Sequence, residues 1–138
     1  MTRAAATTLV EQFYGQALTV SPDTTPSDVL GRVLADDFVS VNGQESKTKA
    51  MLIQQVAGFW QLIPDLRWDV QEVLVDGDKV VVRSRASGTP KGNFMGKPSD
   101  GTRSFRIDTI DIHELREGRI ARVYHVEDWA TAMKQLFA

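Results

Sequence analysis

The chain has 138 residues, no cysteine, and 16 Lys plus Arg against 18 Asp plus Glu for a formal net charge of −2. The length predicts a single domain over residues 1–138, able to bury about two thirds of its unfolded surface, and the missing thiols exclude a disulfide framework, a thiolate nucleophile and a Cys-ligated zinc. The scattered basic residues give no footprint for nucleic acid, no apolar run reaches the ~18–20 residues of a membrane span, and Met1-Thr2-Arg3-Ala4 lacks the apolar stretch of a signal peptide, so a cytoplasmic domain with neither nucleic-acid nor membrane partners is expected.

Residues 4–19 carry Leu9, Phe13 and Ala17 on one line and Val10, Tyr14 and Leu18 beside it, the spacing of an amphipathic helix. Pro22 and Pro26 break it, and Ser27 is placed to cap a short second helix with Val29, Leu30, Val33 and Leu34 inward. Residues 37–41 read as a strand closed by the turn Asn42-Gly43. A third helix is predicted over 47–62, with Leu52, Val56, Phe59 and Ile63 on one stripe and Pro64 past its end.

From there the period changes to two, and residues 66–75, 79–88, 103–115 and 119–128 read as strands of a mostly antiparallel sheet. Asp76-Gly77-Asp78 joins the first pair as a tight hairpin turn, and Leu115-Arg116-Glu117-Gly118-Arg119 suits a type I turn for the last. The glycine-rich residues 88–101 have the wrong spacing for a phosphate-binding loop and read as a long crossover between strands. Residues 130–137 add a final helical turn or two, with Asp128 available as its cap. Helices followed by antiparallel strands make an α+β fold.

Both histidines, His113 and His125, fall in the last two strands. With a three-residue turn and Gly118 in a bulge position, Asp111, His113, His125 and Glu127 share one face. A two-residue turn would slip the parity and set Asp111 against Tyr124. A carboxylate beside an imidazole, both partly desolvated, is suited to proton transfer near neutral pH, which makes His125 and Asp111 the candidate catalytic pair. His113, near the turn, is expected at the rim in contact with water. In Phe13-Tyr14 and Phe59-Trp60 one ring is expected in the core and its neighbour along the helix edge. Tyr14, Trp60 and Phe94 would line a cavity for a flat apolar ligand, with His113 and Thr109 completing its contacts. No metal site is expected: two histidines and Asp111 are the types of a facial triad, but no supporting shell can be named around them.

Ser87-Gly88-Thr89, Gly92-Asn93-Phe94-Met95-Gly96-Lys97-Pro98, Gly101, and Ile110-Asp111-Ile112-His113-Glu114-Leu115-Arg116-Glu117-Gly118-Arg119-Ile120 together resemble the SnoaL-like polyketide cyclases of the NTF2-like superfamily. Leu62-Ile63-Pro64-Asp65-Leu66 and Gln135-Leu136 are similar to the same family's punctuation, and the likeness covers about residues 5–137. The resemblance implies a cone-shaped α+β barrel with three N-terminal helices closing a deep pocket against a curved sheet. It also implies that the glycine-rich stretch lies at the pocket mouth, that the chain dimerises through the convex sheet face, and that an aldol ring closure proceeds without cofactor. The family's cyclases use an Asp near the end of the last strand and a His on its neighbour. His125 and Asp111 stand at those positions, so the types are exchanged, and Pro90 stands where many relatives have a histidine.

The expected function is therefore cofactor-free cyclase, isomerase or lyase chemistry on an apolar, polyketide-like or aromatic molecule. His125 would take a proton from carbon next to a carbonyl, and Asp111 would orient the imidazole. The alternative is a non-catalytic ligand-binding or dimerisation module of the same fold.

Overall fold

In the computed structural model, which describes residues 1–138, helix α1 (Arg3–Gln12) is capped by Thr2, whose hydroxyl accepts the Ala5 N–H at 3.0 Å. It runs into a single π-helical turn (Phe13–Ala17), in which Leu18 N–H donates to Phe13 O, five residues back. The wider turn brings neighbouring residues inward together. Phe13 and Tyr14 are both buried, so neither lies along the helix edge as the α-helical spacing predicts.

Helix α2 (Pro26–Val33) is capped by Thr25, not Ser27. Pro26 takes the first helical position, where a missing N–H costs nothing, and this moves the cap ahead of the proline. Strand β1 (Leu34–Asn42) follows directly and turns at Asn42-Gly43 into β2 (Glu45–Thr48). Helix α3 (Lys49–Leu62) therefore starts two residues later than its spacing suggests, capped by the Thr48 hydroxyl. Lys47 sits on a strand instead of a helix.

The remaining elements are β3 (Arg67–Asp76), β4 (Lys79–Gly88), β5 (Lys91–Phe94), β6 (Lys97–Asp100), β7 (Phe105–Arg116), β8 (Arg119–Glu127) and α4 (Trp129–Phe137), the last capped by Asp128. The glycine-rich stretch is a separate β5–β6 hairpin, not a plain crossover. Met95 and Gly96, at φ 51° and 82°, make its turn. Phe94 anchors it by stacking on Phe105 at 5.9 Å between ring centroids.

Six strands form one sheet in the order β2-β1-β8-β7-β4-β3, antiparallel throughout except for the parallel β1–β8 pair. Ala6, Val10, Val29, Leu30, Leu52 and Val56 from the helices join Phe38, Val80, Val82, Ile107 and Val123 from the sheet in one hydrophobic core. This is the expected α+β class. No helix is long and apolar enough to cross a membrane.

The β7–β8 hairpin decides the site. Arg116 pairs with Arg119, so the turn has two residues, Glu117 and Gly118, both at positive φ (52° and 78°), the signature of a type I′ turn. That corrects the three-residue reading. The parity is nevertheless preserved, because Leu115 pairs with Ile120 and Glu114 with Arg122, leaving Ala121 as an extra, unpaired residue. Such a bulge shifts the register by one, and Asp111 stands opposite His125. Ile120, on the turn side of the bulge, is fully buried and not on the outer face where simple alternation puts it.

Candidate active site

The inward residues of four neighbouring strands form the floor of a cavity of about 220 Å³: Asp111 of β7, His125 and Glu127 of β8, Ser40 and Asn42 of β1, and Glu45 and Lys47 of β2. Gln55, Val56 and Phe59 of α3 close it from above, and Phe13, Trp68 and Trp129 supply aromatic wall. Titratable groups thus share a cavity whose other lining residues are mostly apolar.

His125 and Glu127 are two apart on one strand, so their side chains leave the same face. His125 Nδ1 lies 2.7 Å from Glu127 Oε2, and Glu127 Oε1 accepts the Trp129 indole N–H at 2.9 Å. The hydrogen bond to Glu127 raises the imidazole pKa above its usual value, against the opposing effect of burial. The carboxylate that orients His125 is therefore Glu127, not Asp111 as the sequence reading has it. Its signal was present in the sequence as a carboxylate at i+2 on the same strand face.

Asp111 has a different partner. Only 4 % exposed, it accepts the Tyr14 hydroxyl at Oδ2 over 2.5 Å, while Oδ1 has no hydrogen-bond partner. Burial pushes its carboxyl up to about 7, although the Tyr14 hydroxyl favours the charged form. Behind Tyr14, His113 is fully buried, with Nε2 2.7 Å from the Tyr14 oxygen and Nδ1 unpaired. It does not touch water at the rim: the rings of Phe13 and Tyr14 pack edge-on against it at 5.3 and 5.6 Å. Burial lowers its pKa to about 3, so the ring is neutral. Burial, then Asp111, hold the Tyr14 hydroxyl well above the ordinary phenol range.

Of the seven residues singled out from sequence, only His125 and Asp111 line the cavity. Tyr14 and His113 stand behind Asp111. Thr109 is buried and accepts the Trp68 indole N–H at 3.2 Å, which steadies a wall residue. Trp60 donates its indole N–H to Ala17 O at 2.8 Å, tying α3 to the π-turn. Phe94 lies in the β5–β6 anchor, against Phe105 and Trp129. The aromatic wall of the cavity is built instead by the neighbours Phe13 and Phe59 together with Trp68 and Trp129.

Lys47 was missed because its segment reads as the start of a helix. It lines the cavity and forms no ion pair, whereas Lys49 donates to Gly31 O and Leu34 O. As for a metal, the two-histidine triad does not assemble, since His113 is sealed behind Tyr14. Asp111, His125 and Glu127 do bring one ligand-capable atom each within 4.8 Å of one another. His125 Nδ1 and both Glu127 oxygens are already engaged in hydrogen bonds.

The model of the SnoaL-like polyketide cyclase family matches residues 8–136. No curated protein matches the chain. Among solved structures, TsrD from Streptomyces laurentii is similar at 25% identity and TM-score 0.84, over 100% of this chain and 98% of that one. A SnoaL-like protein from Jannaschia sp. CCS1 is similar at 21% identity and TM-score 0.85, over 98% and 93%. IdmH from Streptomyces antibioticus is similar at 24% and 0.79, over 94% and 96%. At identities this low the last two likenesses show the fold.

Proposed function

The chain belongs to the SnoaL-like polyketide cyclase family, and from that membership we propose that it is a cofactor-independent acid–base enzyme acting on a small apolar, aromatic or polyketide-like carbonyl compound. The observation that carries the reading is one cavity wall holding both a carboxylate raised to about 7 with a free oxygen, Asp111, and an imidazole raised by its own carboxylate, His125.

Those two shifts assign the roles. With its pKa raised, His125 is the proton donor: its imidazolium form donates to a carbonyl oxygen and stabilises the enolate. Asp111, poised near neutrality, is the base. This reverses the roles expected from sequence, where His125 is the base. Asp111 takes the proton from the carbon next to the carbonyl; the C–H pair forms the C=C bond and the carbonyl π pair moves to oxygen. In ring closure the enolate oxygen re-forms its C=O, the C=C pair bonds the second carbonyl carbon, and that carbonyl's π pair moves to its oxygen, which takes the proton held by Asp111 and so regenerates the base. General acid–base help supplies about 10²–10⁴ in rate, and Lys47 adds positive charge for the developing oxyanion.

The test needs no known substrate. In D₂O, the protein accelerates α-proton exchange in members of a panel of small aromatic ketones and β-diketones, followed by NMR, and Asp111→Asn and His125→Gln abolish the acceleration. Equal rates for all three proteins defeat the proposal. They would favour a non-catalytic ligand-binding module, a reading supported by the near-complete burial of Asp111.

A homodimer through the outer sheet face belongs to the same reading. Ile110, Ile112, Tyr124 and Val126 form an outward apolar stripe on β7 and β8, 50, 40, 41 and 72 % exposed, which supports association of two copies.

A further inference from the structure

Two buried groups remain outside this reaction scheme, Tyr14 and His113, both completely shielded from solvent. Placing them there without use is costly. A neutral histidine has one ring N–H and one lone pair, and in this case only Nε2 has a partner, while Nδ1 meets no polar atom.

The hydrogen positions follow from this. A buried N–H left without an acceptor is rarer and costlier than an acceptor left without a donor, so the proton belongs on Nε2 and the unpaired Nδ1 is a lone pair. His113 Nε2–H then donates to the Tyr14 oxygen, and the Tyr14 hydroxyl is committed as donor to Asp111 Oδ2. The chain His113→Tyr14→Asp111 runs one way only. It leaves Oδ1, buried and without a protein hydrogen-bond partner, as the carboxylate oxygen to which no donor is committed.

We propose that Tyr14 and His113 are a buried positioning dyad that anchors Asp111 through Oδ2 and reserves Oδ1 for proton exchange with the bound molecule. The idea deepens the acid–base reading above and rests on it for its use in catalysis, but the direction of the hydrogen-bond chain stands on geometry alone. The reverse polarity, with Tyr14 donating to His113 and a protonated Asp111 Oδ2 donating to Tyr14, would strand Nδ1–H in the core.

Other groups acting on Asp111 are few. His125 and Glu127 face it from β8, and Glu45 and Lys47 of β2 share its cavity. Its partner on β4 is Val82, flanked on the inward face by Val80 and Ser84, while Arg83 and Arg85 lie on the opposite face. Gln55 and the other α3 residues on the cavity are uncharged. Tyr14 is the only one of these groups that hydrogen-bonds the carboxylate.

The experiment is NMR of the full-length, isotope-labelled protein, reading the His113 ring nitrogens and the Asp111 carboxyl carbon against pH. His113 is expected neutral and in the Nε2–H form across about pH 5–8. Asp111→Asn serves to assign the carboxyl signal. In Tyr14→Phe the Asp111 midpoint rises by about one pH unit or more, because a donor to the charged form is lost. His113→Leu, which leaves Tyr14 in place, moves it in the same direction by less and serves as the reading if Tyr14→Phe does not fold. An Nδ1–H tautomer in the parent protein, or an Asp111 midpoint that fails to rise in the folded variant, overturns the proposal. Absence of exchange activity in the parent protein with these NMR signatures intact would instead sink the acid–base function and leave the dyad standing.

Discussion

Asp111 and His125 are direct cross-strand partners, yet neither hydrogen-bonds the other: Tyr14 holds Asp111 at 2.5 Å and Glu127 holds His125 at 2.7 Å. Each titrating group has its own anchor. The cavity wall therefore carries an acid and an imidazole that each keep a different hydrogen-bond partner while still acting on one another through their charges, not an internally hydrogen-bonded pair.

Stability against pH reports on the buried groups. The Asp111 pKa is raised to about 7 in the folded protein, so the native state holds more protons than the unfolded chain above about pH 4, and this group makes stability fall as pH rises towards 7. His113 is lowered to about 3, so the unfolded chain holds more protons between that value and about 6.5, and stability rises with pH there. The two oppose each other over about pH 4–6.5. In Asp111→Asn the falling contribution disappears, and the melting temperature should climb with pH over this range more steeply than in the parent protein. Parallel melting curves would contradict the raised pKa of the buried Asp111 carboxyl.

Glu127→Gln keeps the shape but removes the charge that raises the His125 pKa. The imidazolium form should be lost at lower pH than in the parent protein, so α-proton exchange should fall off earlier as pH rises, by about 10- to 100-fold where the parent is still protonated. The rate at pH 6 should be less affected. A uniform loss at all pH values would point to misfolding of the β8 end instead.

Lys47→Met removes the one lysine on the cavity wall. Exchange of ketones should slow by about 10-fold, with less effect on binding of neutral aromatic ligands, since the charge acts on the developing oxyanion. His125 should also titrate higher, because Lys47 opposes its protonation. Equal losses in binding and rate would assign Lys47 to ligand docking.

Ile112→Glu sets a charge in the outward stripe of β7, where Ile112 pairs with Tyr124. Light scattering should show a dimer for the parent protein and a monomer for the variant, both with the same circular dichroism. A monomeric parent protein at tens of micromolar, about the range where weak interfaces fail, would remove the dimer.

Much of this was legible in the sequence because it depends on neighbours along the chain. Alternation in β7 and β8 is a period-two pattern, and it correctly set Asp111, His113, His125 and Glu127 on one face. The α+β order followed from helical stripes giving way to strands. The details that failed were ones where two local rules compete. Pro26 overrides Ser27 as the start of α2, and Asn42-Gly43 closes a hairpin that takes Lys47 out of α3. At β7–β8 a two-residue turn and an unpaired Ala121 combine to produce the register that a single three-residue turn would have given.

What the chain determined by itself, then, is the inventory of chemistry and the face of each strand that carries it: no thiol, two histidines, and an alternation that puts Asp111 with His113 on β7 and His125 with Glu127 on β8. Only the tertiary structure decided who stands beside whom. Tyr14 reaches Asp111 across 97 residues of sequence, and the π-turn that aims it inward differs from an α-turn by one residue in the hydrogen-bond step. A hydrogen bond of that kind depends on the packing of a helix against a sheet, which no periodicity within either element encodes. That packing sealed His113 into the core and joined Asp111 to Tyr14 through one oxygen, leaving the other without a protein partner.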